Sequence, residues 1–262
     1  MTTTATPAAT ASAPARPRAS LALLRTEIRL FLREPAALFW VIISPTVLLA
    51  ILGSIPSFRE ASPDIGGRRV VDLYVPVAVL FALIMSGLQA MPPVLSGYRE
   101  RGILRRLSTT PVRPGALLGA QLVLHGAAAL VSALLVLGVG RIAFGVELAG
   151  DLPGYVLALL LAVAGSLALG AAVCAVSRTQ KMAQAVGSAV FFPSMFTAGV
   201  WLPVQQMPDT LRGIVEFTPL GAASQALDAA MGGHWPAWSA LGILTLWTVL
   251  LTGAAVRWFR WE

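Results

Sequence analysis

The chain has 262 residues, of which 56% are hydrophobic and only 12% charged, with a mean hydropathy of +0.77. Soluble domains carry roughly a quarter charged residues, so this composition excludes an ordinary water-soluble fold. The net charge of +7 does not mark a nucleic-acid binder: the arginines sit in short gaps between apolar runs, a pattern set by membrane orientation and not by nucleic acid.

Residues 1–19, rich in Thr, Ala, Pro and Ser, are too poor in apolar side chains to build a core and are expected to form a disordered tail without a signal-peptide apolar region. From Ser20, Leu21, Leu24, Ile28 and Phe31 recur at helical spacing opposite a ridge of Arg25, Arg29 and Arg33. This predicts an amphipathic helix over 20–34 that lies in the surface of a lipid bilayer before Pro35 turns the chain inward. Six apolar runs follow: 36–55, 73–97, 115–140, 152–176, 182–204 and 236–256. None contains Asp, Glu, Lys or Arg, and each meets the length of about 20 residues needed to cross the hydrocarbon layer. The predicted fold is therefore an all-α membrane protein with six transmembrane helices. Pro45, Pro76, Pro92-Pro93 and Pro193 predict breaks or kinks within the spans. Small residues in the third and fourth runs (Gly126, Ala127, Ala164, Ala168, Ala172) predict close helix packing. Residues 211–231 are too broken by Pro219, Gly221 and Asp228 to span, and predict short helices resting on or dipping into the outer leaflet.

The charges orient these spans. With both termini cytoplasmic, the inner segments (1–35, 98–114, 177–181, 257–262) hold 14 of the 19 basic residues and the outer segments hold 5. The excess of inner Lys and Arg predicts that arrangement. The inner segment 98–111 stands out. Ile103, Leu104 and Leu107 share one helical face and Arg101, Arg105 and Ser108 another, with Pro111 as the stop. Two readings fit this pattern: a loop whose arginines fix topology, or a short helix that docks another protein.

Catalytic motifs are missing from the sequence. No GxxxxGK[ST] phosphate loop, GxSxG elbow or HExxH helix occurs, and the one cysteine, Cys174, lies in an apolar run. His125, mid-span, reads either as a proton relay or as a neutral packing residue. The spans carry no carboxylate of the kind that proton-driven pumps keep at membrane depth. If the chain drives uphill transport, the energy must enter from another polypeptide, and 98–111 is the best candidate for that contact.

Three stretches carry a resemblance. Arg99-Glu100-Arg101-Gly102-Ile103-Leu104-Arg105-Arg106-Leu107-Ser108-Thr109-Thr110-Pro111 is similar to the E-R-G-T-L-x-x-L-x-x-T-P segment between the second and third spans of ABC-2 type exporter permeases, the daunorubicin-resistance and polysaccharide-export class. Phe192-Pro193 through Trp201-Leu202-Pro203 and Met207-Pro208 resembles that family's fifth span and its exit, and Phe217-Thr218-Pro219-Leu220 its outer segment before the last helix. The chain departs from the pattern in Ile103, where threonine is common, in Thr218, where asparagine is common, and in its longer N-terminus.

The resemblance implies a bacterial drug- or antibiotic-efflux permease in the cytoplasmic membrane. Two permease copies, or two homologues, would join two ABC ATPase subunits, which bind ATP and Mg; no cofactor belongs to this chain. Glu100, Arg101, Gly102, Ile103, Leu104, Arg105, Arg106 and Leu107 would form the ATPase-coupling contact, with the 20–34 helix flanking the dimer. The path for hydrophobic or amphipathic cargo would be lined by the first, second and fifth spans, with Phe39, Trp40, Gln89, Phe192, Met195, Phe196 and Trp201 as wall residues. A glycan-exporting permease, a membrane enzyme acting on lipids, and a scaffold or channel are the alternatives. The enzyme needs clustered acids or histidines, and the channel a polar stripe or charged ring, that the spans do not show.

Overall fold

Hydrocarbon offers the backbone no hydrogen-bond partners, and a helix satisfies them internally. The computed structural model, which describes residues 16–107 and 114–258, accordingly contains no strand among the described residues. Helix α1 spans Arg16–Leu32, starting earlier than the expected Ser20; residues 1–15 of the expected tail lie outside the described residues. Helices α2 (Pro35–Gly53), α3 (Val70–Glu100), α5 (Pro114–Phe144), α6 (Leu152–Val176) and α10 (Trp238–Trp258) include the five segments long and apolar enough to cross a membrane. The short helix α4 (Ile103–Leu107) lies between α3 and α5.

The apolar run expected at 182–204 folds as α7, Gln180–Thr197, which is not among those five. Its first turns carry Gln180, Lys181 and Gln184, and the chain turns back at Gly199, whose φ of 85° is left-handed. Val200 N then bonds Met195 O and closes the helix end. Helices α8 (Asp209–Glu216) and α9 (Pro219–Met231) complete the chain. Of the short helices expected over 211–231, α9 packs into the bundle: Leu220, Ala222, Ala223, Ala226, Leu227 and Ala230 are buried against α3, α6 and α10. Arg68 fixes it by donating to both oxygens of Asp228 at 2.8 and 3.2 Å.

Helix α3 is the axis of the bundle, with Leu73 to Leu88 buried throughout among α2, α5, α6, α7 and α9. Among its neighbours, α6 carries Ala158, Ala162, Ser166, Gly170 and Cys174, all buried, at intervals of four. This is a different stripe from the Ala164, Ala168, Ala172 row that composition suggested; Ala164 is exposed. At the crossing, a Cβ on Gly170 would overlap the carbonyl of Gly87, and Ser166 Oγ donates to Leu83 O at 2.6 Å. Lipid tails are as apolar as leucine, so such close backbone approach supplies association that the hydrophobic effect does not.

Two of the expected proline breaks take a specific form. A π-helical stretch, Phe39–Ile43, precedes Pro45 in α2, and another, Met85–Ala90, precedes Pro92-Pro93 in α3. Proline lacks the N–H that would close the turn before it, and the wider π turn absorbs the mismatch. Pro76 and Pro193 sit inside α3 and α7 without interrupting them.

Substitution Gly170→Ala is expected to cost roughly 1–3 kcal/mol by overpacking the α3–α6 crossing. Gly242→Ala, where nothing lies within 4 Å of the new methyl, should be neutral. Heat-induced unfolding of both variants in detergent checks the contrast.

Candidate functional site

Helix α3 ends at Glu100, and Gly102, with φ of 69°, lets the chain reverse into α4. Leu104 is turned inward and buried with Met91, Leu95, Leu117, Ala171, Cys174 and Ala255, so its side chain is occupied within its own chain. Ile103 is half-buried, and Arg101 and Arg106 are exposed. The Arg101 guanidinium lies 5.6 Å from the Tyr98 ring centroid and donates to Gly97 O at 3.1 Å. The side chains of Arg105 and Leu107, and residues 108–111 of the expected docking segment, lie outside the described residues.

The two residues that lead into α4 grip the turn between α6 and α7. Arg99 Nη1 donates to Cys174 O at 3.0 Å and to Ser177 O at 2.6 Å, carbonyls at the C-terminal end of α6. Glu100 Oε2 accepts from Gln180 N at 2.9 Å, an amide at the N-terminal end of α7. A cation thus meets the negative end of one helix dipole and an anion the positive end of the next. Thr179 caps α7 as well, accepting from Met182 N at 3.2 Å. Arg99 and Glu100 thus tie the segment that leads into α4 to the α6–α7 turn.

At the same end, α1 packs against α5 and buries Glu27, which is 5% exposed. Its Oε2 accepts from Tyr98 Oη at 2.9 Å and from Gln121 Nε2 at 2.6 Å. Burial pushes the Glu27 carboxyl above its ordinary pKa, and these two hydrogen bonds pull it partly back. Of the expected interfacial residues, Leu21, Arg25, Ile28, Arg29 and Arg33 are exposed, and Leu24 and Phe31 are half-buried. Sequence reasoning did not single out Glu27. The available signal was an acid spaced four residues from both Leu23 and Phe31, on the stripe that faces the bundle.

Glu27, Tyr98 and Gln121 line a cavity of about 610 Å³ enclosed by α1, α2, α3, α5 and α7. Of the wall residues expected from sequence, Trp40, Gln89 and Met195 face it. The others lie outside it. Phe39 sets its edge against Trp40 at 5.3 Å, and Phe192 and Phe196 gather around Trp201 at 6.2 and 6.5 Å, beyond the far end of α7. Both π-helical stretches reach the cavity, through Trp40 and Val41 and through Met85, Gln89 and Ala90. His125 also faces it, edge-on to Phe31 at 5.8 Å, while Ser86 Oγ donates to His125 O at 2.7 Å.

Five membrane-length apolar helices define a multi-pass α-helical membrane protein. Residues 18–231 match the family described as ABC-2 type transporter, and the chain belongs to it. It is accordingly the permease subunit of an ABC transporter, and membership implies an ABC ATPase as partner. No curated protein matches the chain.

Substitution Glu27→Ala would leave the Tyr98 hydroxyl and the Gln121 amide without their acceptor, at a cost of roughly 1–3 kcal/mol. Unfolding in detergent should show this loss, and Glu34→Ala, at an exposed position, should not.

Proposed function

We propose that the chain is an export permease that moves hydrophobic or amphipathic small molecules out of a bacterial cytoplasm or inner leaflet. Two copies pair with two ATPase subunits, which bind ATP and Mg. Helix α7 is the sixth crossing, short because its first turns emerge beside α4. The end that carries α1, α4 and the α6–α7 turn is cytoplasmic, in keeping with 14 of the 19 basic residues falling on that side. Arg101, Ile103 and Arg106 meet the ATPase, while Leu104 anchors α4 to its own bundle. The cavity wall of Phe31, Trp40, Phe81 and Met195 supports a small amphipathic cargo over a hydrophilic polymer.

The observation that carries this reading is the Arg99–Glu100 grip on the α6–α7 turn. Helix α7 runs from that turn along the cavity, so a push on α4 by the closing ATPase pair reaches the cavity wall. Packed helices respond to such a push by discrete rigid-body shifts, which turns a small movement at one end into a rearrangement of the bundle.

Two substitutions separate docking from transmission. Arg106→Glu should reduce the ATPase retained on the purified permease by on the order of tenfold, since reversed rim charges repel a matched partner. Glu100→Ala removes a helix cap worth about 1–2 kcal/mol. It should leave ATPase retention unchanged while ATP-driven export from vesicles falls several-fold. Unaltered export in Glu100→Ala would count against the transmission route.

A further inference from the structure

The cavity between α1, α2, α3, α5 and α7 inverts the charge of the molecule around it. The chain carries 19 Lys and Arg against 12 Asp and Glu. The described residues that line this space nevertheless include two carboxylates, Glu27 and Glu34, and no lysine or arginine. The remaining polar lining is neutral, contributed by glutamines, Tyr98 and His125. Within this lining an anion meets no countercharge and a cation meets two carboxylates; Arg101, 5.6 Å from the Tyr98 ring centroid, is not part of it.

The hydrogen-bond inventory is also one-sided. Both donors that reach Glu27 bond Oε2, so Oε1 has no hydrogen-bond partner among the described residues. Gln121 must turn its amide nitrogen toward that carboxylate, because a carboxylate only accepts. Its Oε1 is then left without a donor, in a side chain only 1% exposed. A buried acceptor without a donor costs about 1–3 kcal/mol, so the site favours a ligand that brings N–H or O–H groups. The rest of the wall is apolar and aromatic: Phe31, Trp40, Phe81, Phe191, Met85 and Met195. Aromatic faces attract cations as well as apolar bodies. The volume of about 610 Å³ falls in the range of small-molecule sites, roughly 300–1,000 Å³.

We propose that this cavity binds an amphipathic protonated amine, its ammonium set against Glu27 and Gln121 and its apolar body against Phe31, Trp40 and Met195. Glu34, exposed at the rim, draws the cation in. The proposal rests on the export reading and narrows its substrate class: a neutral apolar molecule leaves the two acceptors unanswered, and an acid is repelled by both carboxylates.

The test uses three probes that share one ring system: aminomethylanthracene, a cation at neutral pH, hydroxymethylanthracene and anthracene carboxylate. Each is equilibrated by dialysis with the purified full chain in detergent, and binding to empty micelles is subtracted. The amine should bind saturably, with the alcohol and the acid weaker by about tenfold or more. Glu27→Gln keeps an acceptor for Tyr98 and Gln121 yet removes the charge, and should weaken the amine by on the order of tenfold while sparing the alcohol. Glu34→Gln, at an exposed position outside the packed interior, should weaken the amine about two- to fivefold. The proposal is overturned if the acid or alcohol binds as tightly as the amine, or if both variants bind the amine as the parent chain does. Retention of an ABC ATPase on the same purified chain judges the export reading separately. Loss of cation preference with the ATPase retained removes the substrate class alone.

Discussion

Helix α3 is uncharged from Leu73 to Gly97, and it holds its neighbours by charge only at its two ends. At one end Arg69 pairs with Asp72 at 2.6 Å and donates to Phe144 O and Gly145 O, the last carbonyls of α5. At the other, Arg99 and Glu100 hold the end of α6 and the start of α7. Apolar helices in an apolar solvent slide at little cost, so register in this bundle depends on such end contacts and on the interlocking of Gly87 with Gly170. A charge-assisted hydrogen bond contributes roughly 1.5–3 kcal/mol, and several acting on one helix outweigh any single packing contact. These contacts join α3 to α5 at one end and to α6 and α7 at the other.

That constraint explains where the bundle can yield. The two π-helical stretches, Phe39–Ile43 and Met85–Ala90, lie beside each other at the cavity, each just ahead of a proline. Such π turns interrupt the regular α-helical hydrogen-bond ladder and commonly mark functional positions. The charged contacts thus lie at the two ends of α3, and its π-helical stretch lies between them at the cavity. The small-residue stripe of α6 keeps another side of α3 close-packed.

The cavity combines features that a soluble site would separate. Its apolar wall continues the lipid-facing chemistry of the spans, while its polar groups gather at the α1 end, where Glu27, Tyr98 and Gln121 meet. Burying a carboxylate is costly unless donors reach it, and the two that do come from α3 and α5. Glu27 consequently ties α1 to two membrane-length helices, so α1 is part of the bundle.

Much of this architecture was legible in the amino-acid order. Charge-free runs of about 20 residues located the membrane-length helices because hydrocarbon tolerates little else, and the basic gap at 98–107 located the turn beside α1. Of the residues expected to wall a path, Trp40, Gln89 and Met195 line the cavity, and Phe39, Phe192, Phe196 and Trp201 fall outside it. The inward turn of Leu104, the burial of α9, the end of α7 at Thr197 and the partners of Arg99 and Glu100 were decided only in three dimensions. Hydropathy along a chain reports which solvent a segment tolerates. In a helix apolar on every side it carries no amphipathic signal of which face meets protein, so packing partners are fixed by shape and by a few polar contacts between residues tens of positions apart.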